Sequence, residues 1–294
     1  MDHSDRHREK VEACVTFLRD RFPFVPKVIL QLGTGLGGLA GQVDPVLVIP
    51  YSEIPHFPQA TVTSHLGHLI LGRLNGHPIA VLQGRFHFYE GYSTKEVSLP
   101  IRVLSLLGAK TLLLTNAAGG LNPLFVPGSI MVVRDHLNFL GENPLRGPNV
   151  DSWGPRFPDL SHPYDPALIK IALDSAQYCA LKNVITGVYV CIPGPSLETP
   201  AETRWLRNCG ADVVGMSSIP EVLVALHAGL KVLGLSVVSN VNDPENFQPI
   251  ILEEIIDTAT KVAPQLEQLI MEIINRIHES ATRIQNPSLQ GLQS

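Results

Sequence analysis

The chain holds few cysteines and spaces none of the four (Cys14, Cys179, Cys191, Cys209) as a C-x-x-C pair. That excludes a disulfide framework and reads as free thiols in apolar surroundings, suited to a reducing compartment. Positive charge is also in deficit. Lys and Arg total 22 against 27 Asp and Glu, for a net charge of -5. A protein that grips nucleic acid or an anionic membrane needs a basic face, so neither partner is expected. No apolar run approaches the roughly 18 residues that a bilayer span requires. The start, Asp2 to Lys10, is too charged for a signal peptide, so a cytoplasmic location is expected. The eleven histidines show no ligand spacing such as H-E-x-x-H, and no metal is expected. There is no internal repeat and no linker, which predicts one domain over residues 1–277 and a polar tail over 278–294.

What is present is a core. Hydrophobic residues make up 45% of 294, with 24 Gly and 24 Pro to punctuate them. Residues 5–20 read as an amphipathic helix. Short β-branched runs closed by Gly, Pro, Asn or Ser predict buried strands at Val28–Leu32, Val46–Ile49, His68–Leu71, Ile79–Leu82, Thr111–Thr115, Ser129–Val133, Ile185–Val190, Val213–Gly215 and Val232–Val238. Helical patterns fall between several of these, at Lys95–Gly108, Pro166–Leu181, Pro200–Cys209 and Pro220–Ala228. Alternating strands and helices predict an α/β fold with a largely parallel sheet. Residues 141–166, rich in Pro, Gly, Asn and Asp, predict a long functional loop. Residues 252–277 are apolar at helical spacing, with Pro264 expected to kink or divide the helix.

Six segments that end predicted strands carry ligand-type residues. In Gly84-Arg85-Phe86-His87-Phe88-Tyr89, the residues Arg85, His87 and Tyr89 stand two apart and share one side of an extended backbone. A guanidinium and an imidazole there suit an oxyanion. The glycine-rich Gly33-Thr34-Gly35-Leu36-Gly37-Gly38 can cradle an anion on backbone N–H groups, with Thr34 adding a hydroxyl, or can be a plain tight turn. It also satisfies the dinucleotide fingerprint G-x-G-x-x-G. Pro45 and the strand at Val46–Ile49 follow too soon for the helix of a Rossmann unit, so dinucleotide binding is not expected. Asn116-Ala117-Ala118-Gly119-Gly120 offers small residues against which a ligand can lie. Glu198, in a proline-flanked loop, is an acceptor for ligand N–H groups or a cap for the helix near Pro200. Met216-Ser217-Ser218 places hydroxyls at a helix start, and Asn240 can donate and accept at once, as a purine edge requires. In α/β sheets ligands collect at the carboxyl ends of strands.

These motifs together resemble the trimeric purine nucleoside phosphorylases over about residues 5–277. The resemblance rests on Leu32–Leu39, Gly84–Tyr92, Thr115–Gly120, Asn143–Asn149, Gly194–Thr199 and Gly215–Ser217, in family order. It implies a single-domain three-layer α/β sandwich with a twisted mixed sheet flanked by helices. It implies reversible phosphorolysis of purine (deoxy)nucleosides such as inosine and guanosine to the base and (deoxy)ribose 1-phosphate. Inorganic phosphate would be a co-substrate, no cofactor would be needed, and the protein would be a homotrimer. By resemblance, phosphate falls to Thr34, His65, Arg85, His87, Ala117 and Ser217, and the sugar to Tyr89 and Met216. The base falls to Leu197, Glu198 and Asn240, with Phe157 reaching into a neighbouring subunit's site. Asn240, Glu198 and His87 are the expected catalytic groups. Two departures stand out. Leu197 replaces a stacking Phe, and Leu252 occupies the place of a His that contacts the sugar 5′-hydroxyl. The second departure leaves a 5′-methylthio-nucleoside phosphorylase as the alternative, which the amides Asn240 and Asn242 argue against.

Overall fold

The computed structural model describes residues 3–33, 35–59 and 66–285. Nine strands form one mixed sheet: β1 (Val28–Gln31), β2 (Asp44–Pro50), β3 (His68–Leu74), β4 (His77–Gln83), β5 (Thr111–Gly120), β6 (Ile130–Asn138), β7 (Val184–Cys191), β8 (Val213–Gly215) and β9 (Lys231–Val241). The strand order is β2-β3-β4-β1-β5-β8-β7-β6-β9, and β9 pairs again with β5. Five strands therefore close into a ring, while β2, β3, β4 and β1 extend from it as an arm. The largely parallel sheet expected from strand-helix alternation is corrected to a mixed one. β1 pairs in parallel with β4 and β5, whereas the hairpin β3–β4 and the pairs β2–β3, β5–β8 and β6–β9 are antiparallel.

Strand residues alternate between two cores. Ile29, Leu69, Leu71, Ala80, Leu82, Leu112 and Leu114 face one. Val28, Leu30, Ile70, Ile79, Val81 and Leu113 face the other. This is the period of two expected of a strand buried on both sides. The first core is covered by α1 (His3–Arg19), α3 (Leu99–Leu106) and α6 (Ile219–His227), through Val11, Leu18, Ile101, Leu104 and Val222. The second is covered by α4 (Pro166–Tyr178) and α7 (Leu252–Gln285), through Leu168, Ala172, Leu266, Leu269, Ile270 and Ile273. Each such Leu, Ile or Val side chain contributes roughly 1.5–3 kcal/mol by leaving water, so the three layers are held chiefly by this burial. α5 (Pro200–Asn208) lies outside both cores, and its Leu206 joins Leu121, Val190 and Val214 in a third cluster.

Two expected elements differ. The helix foreseen at Lys95–Gly108 is two, α2 (Thr94–Val97) and α3, because Pro100 has no N–H to continue the first and serves instead in the opening turn of the second. Pro264 does not divide the last helix: α7 runs 34 residues to Gln285, eight beyond the foreseen end of the domain at 277. Its apolar face, packed on the sheet, outweighs one lost backbone bond. After the glycine loop comes only a short 3-10 turn, Gly37–Gln42, and then the edge strand β2, which accommodates Pro45 at a register shift. No βαβ unit forms there, as expected. Among the described residues no helix is long and apolar enough to cross a membrane.

Candidate active site

The ends of β1, β4, β8 and β9, the C-terminal half of β5 and the loop before α5 enclose a cavity of about 170 Å³. Arg85 forms its floor and is only 3% exposed. Its Nη1 donates to Ser217 Oγ (2.7 Å) and Ser218 Oγ (2.9 Å), and its Nη2 donates to the Thr115 carbonyl (2.7 Å). No carboxylate among the described residues pairs with it directly; the buried Glu221 of α6 bears on it only at a distance. A buried cation without a direct counter-ion is costly, and a cavity above it is suited to an anion. Ser217 is a ready donor, because Arg85 occupies its lone pair and leaves the hydroxyl proton available.

Local backbone fixes this geometry. Ser218 has φ +75 and ψ −40, and the Ile219 N–H closes on the Ser217 carbonyl at 2.9 Å. This is a γ-turn of the strained hand, placed where β8 gives way to α6. The Ser218 hydroxyl also accepts from Asn116 Nδ2 at 2.9 Å, which ties β5 to the same turn. Gly33 is pressed against β5: a Cβ there would stand 2.6 Å from the Thr115 carbonyl oxygen. Its N–H donates to Thr115 Oγ1 at 3.0 Å.

His87 and Tyr89 both line the cavity, as the spacing foresaw, but Tyr89 reaches it from a 3-10 turn over Phe88–Glu90 rather than an extended strand. The two rings stack at 4.6 Å. Glu90 Oε1 accepts from the His87 backbone N–H (2.8 Å) and from Nδ1 (2.7 Å), which sets the tautomer. Burial lowers the pKa of His87, against the pull of Glu90, and holds the ring neutral at pH 7.

The opposite end is amide and carboxyl. Glu198 is 8% exposed and lines the cavity, and burial raises its pKa. It does not cap α5. That role belongs to Thr199, which forms a reciprocal capping box with Glu202. Asn240 is placed by a bulge: the β5–β9 register shifts between Ala118 and Gly119, so that Gly119 pairs with Asn240. Ser239 Oγ donates to Asn240 Oδ1 (2.7 Å), and Asn240 Nδ2 donates to Asn242 Oδ1 (2.6 Å). Met216 and Leu197 complete the wall between the two ends.

The cavity thus gathers Arg85, His87, Tyr89, Ala117, Leu197, Glu198, Met216, Ser217 and Asn240. Phe157 is not among them. It is 85% exposed in the long loop before α4. Thr34 and His65 lie outside the described residues. Sequence reasoning gave no role to Asn116, Ser239, Glu90, Ile250 or Ile255, took Ser218 only as a hydroxyl at a helix start, and used Asn242 only to weigh against the methylthio-nucleoside alternative. Ser218 and Asn116 sat inside recognised motifs and were readable as neighbours of Ser217 and Ala117. Ile250 and Ile255 carried no local signal.

The chain matches the sequence profile of the phosphorylase superfamily over residues 27–275. It is 46% identical over 271 residues to purine nucleoside phosphorylase 1 of Geobacillus stearothermophilus, covering 92% of this chain and 98% of that one. It is 44% identical over 275 residues to the purine nucleoside phosphorylase of Mus musculus, covering 92% and 95%. A Schistosoma mansoni purine nucleoside phosphorylase solved with adenosine superposes with a TM-score of 0.86 at 43% identity, covering 90% of this chain and 96% of that one. Isoform 2 from the same organism, solved with cytosine and ribose-1-phosphate, gives 0.87 at 43% identity, covering 91% and 96%.

Proposed function

The chain belongs to the purine nucleoside phosphorylases of the phosphorylase superfamily, and we propose from that premise that its cavity takes 6-oxopurine nucleosides, inosine and guanosine, with inorganic phosphate as co-substrate. The reaction is phosphorolysis of a purine nucleoside, which yields free base and sugar 1-phosphate. Breaking an N-glycosidic bond passes through an oxocarbenium-like sugar. Phosphate seated on Arg85 and Ser217, beside Ala117, would lie beneath that sugar as both nucleophile and counter-charge. The protein then has to position the anion and need not supply a covalent carboxylate. Thr34, His65 and His87 are assigned to the same anion by family likeness.

At the far end the base departs with growing negative charge. Asn240 donates toward N7 and O6, and Glu198 accepts from N1–H. A carboxylate there favours 6-oxopurines, since adenine offers a bare acceptor at N1. Tyr89 and Met216 hold the sugar, and Leu197 packs on the base. The observation that carries this reading is the buried Arg85, aligned beneath the cavity by two hydroxyls and a carbonyl and without a direct carboxylate partner among the described residues.

The test is release of hypoxanthine from inosine with and without phosphate. Release only with phosphate supports the reading, and equal release without it would show a nucleosidase that uses water. No cofactor or metal enters this scheme. An alternative, 5′-methylthio-nucleoside cleavage, is favoured by Ile250, Leu252 and Ile255, which place aliphatic groups on the cavity wall. The amides at 240 and 242 weigh against it. The bare Phe157 ring supports a homotrimer in which it reaches a neighbour's cavity. The free thiols, Cys14 and Cys191 buried among them, support a cytoplasmic location.

A further inference from the structure

Glu221, on the first turn of α6, is 1% exposed, and its Oε2 has no hydrogen-bond partner among the described residues. It does not line the cavity, so it does not touch the substrates. It grips the same turn as Arg85, from the other side. Arg85 holds the Ser218 hydroxyl at 2.9 Å, and the backbone N–H of Ser218, with that of Glu221 itself, bears on the carboxyl. We propose that Glu221 is a positioning residue that exchanges a proton with solvent as the anion comes and goes, ionised behind Arg85 in the unliganded enzyme and protonated once phosphate is seated, an inference that rests on the seating of phosphate at Arg85 given above.

The titratable groups that bear on this carboxyl are Arg85 after β4, Tyr164 before α4 and Cys191 at the end of β7. Burial pushes the phenol and the thiol up, so both are neutral at pH 7 and Arg85 is the charge that acts on Glu221. Burial also raises the pKa of Glu221, while Arg85 and the two N–H groups pull it down. A phosphate dianion on Arg85 upsets that balance. It cancels the cation and adds negative charge, and the carboxylate is left repelled in a place too buried for water to relieve it. The proton then bonds to Oε2, the oxygen without a partner. It comes from bulk water, and no other bond changes. Phosphorolysis joins the anion to the sugar without taking it off Arg85. The proton therefore stays until the sugar 1-phosphate leaves, and then returns to solvent.

Protonated Glu221 binds the anion better, and by reciprocity the bound anion raises the affinity of Glu221 for its proton. Affinity for a dianion should therefore increase as pH falls through the titration of Glu221 and decrease as pH rises. His87, which lines the cavity and is neutral at pH 7, would act in the same direction if it gained a proton. The two are separated by a variant that changes Glu221 alone.

The experiment measures phosphate KM, with inosine saturating, in the native full-length enzyme and in Glu221→Gln, from mildly acid to mildly alkaline pH. The amide has the size of the carboxyl and is neutral throughout. Titration of phosphate and of His87 is common to both enzymes and cancels in the ratio of the two KM values. Phosphate KM of Glu221→Gln is expected about tenfold below native in alkali, the scale of one charge acting across a protein interior. The two should converge in acid, with nucleoside KM near its native value at every pH. A carboxylate that only caps α6 predicts the reverse, a weaker anion site and a ratio that does not move with pH. Either a flat ratio or a raised phosphate KM in Glu221→Gln would overturn the proposal. Phosphate KM left unchanged in Arg85→Ala would overturn the seating of the anion as well, a separate failure. If Glu221→Gln does not fold, infrared difference spectra decide, with sulfate as a stand-in that remains a dianion. Sulfate should convert one carboxylate to a carboxylic acid in the native enzyme, in Glu90→Gln and in Glu198→Gln alike, and its failure to do so would refute the proton exchange.

Discussion

The two ends of the cavity are built on opposite plans. The anion end is tied by several bonds: the two terminal nitrogens of Arg85 meet three oxygens from β5 and from a strained turn, though Arg85 Nε and Asn116 Oδ1 keep no partner among the described residues. The base end is loosely satisfied. Glu198 is buried without a salt bridge, and Asn242 keeps an orphan N–H. The contrast follows from what each end must recognise. Inorganic phosphate has one shape and is an anion throughout the neutral range, so the groups that meet it can be aligned before it arrives. Purine edges differ in where they carry donors and acceptors, and an incompletely paired wall is finished by whichever base binds.

The strongest way to break this comparison is at the rigid end. Arg85→Ala should lower kcat/KM for phosphate by about 10³-fold, the upper range for losing one preorganised donor to developing charge. Arg85→Lys should recover little of it, because an ammonium cannot span Ser217, Ser218 and the Thr115 carbonyl together. Steady-state kinetics with phosphate as the varied substrate measures both. Phosphate dependence left intact in Arg85→Ala would place the anion elsewhere.

At the adaptable end the loss should be smaller and should depend on pH. Glu198→Gln should cost inosine about 10²-fold in kcat/KM by leaving N1–H opposite an amide that must turn to accept it. In the native enzyme, acidification protonates Glu198 and removes the acceptor. Because burial raises its pKa, inosine cleavage should fall at a pH above the ordinary glutamate range. That acid limb should vanish in Glu198→Gln, while any limb owed to phosphate itself remains. Asn240→Asp should shift preference the other way, weakening inosine by about tenfold and improving adenosine, since a carboxylate accepts from the 6-amino group. Equal loss on both substrates would remove Asn240 from base recognition.

How much of this was legible in the sequence divides along the same line. Residues whose chemistry is local were found: Arg85, His87, Ser217 and Glu198 each sit at a strand end with little else to do. The short β-branched runs also located all nine strands, although the edge strand β2, expected buried, keeps Val46 and Val48 exposed. Closure of the ring was not legible, since the β9–β5 pairing joins segments more than a hundred residues apart and depends on register. The partners of Ser218 and Asn242 went unforeseen for the same reason. Their roles are hydrogen bonds to Arg85, Asn116 and Asn240, which exist only once the strands are side by side. Of the two outcomes open to Pro264, division of the helix did not occur, since the apolar seam of α7 carries it through.

The smallest expected effect probes how the rigid end is kept rigid. Ser218→Ala removes the hydroxyl that accepts from both Arg85 and Asn116 but keeps a Cβ in the left-handed γ-turn. Phosphate KM should rise about tenfold, one hydrogen bond to a charged group, while nucleoside KM stays near its native value. Ser218→Gly removes the same hydroxyl and also the steric conflict at φ +75. Such conformations cost a non-glycine residue about 1–3 kcal/mol, more than the added chain entropy of glycine, roughly 0.5–1 kcal/mol. Ser218→Gly should therefore unfold at a higher temperature than Ser218→Ala, reversing the usual order of these two residues, even though the two enzymes share the same phosphate defect. Were the alanine variant the more stable, the turn would be unstrained. The rigidity of the anion cradle would then have to come from the Arg85 hydrogen bonds alone.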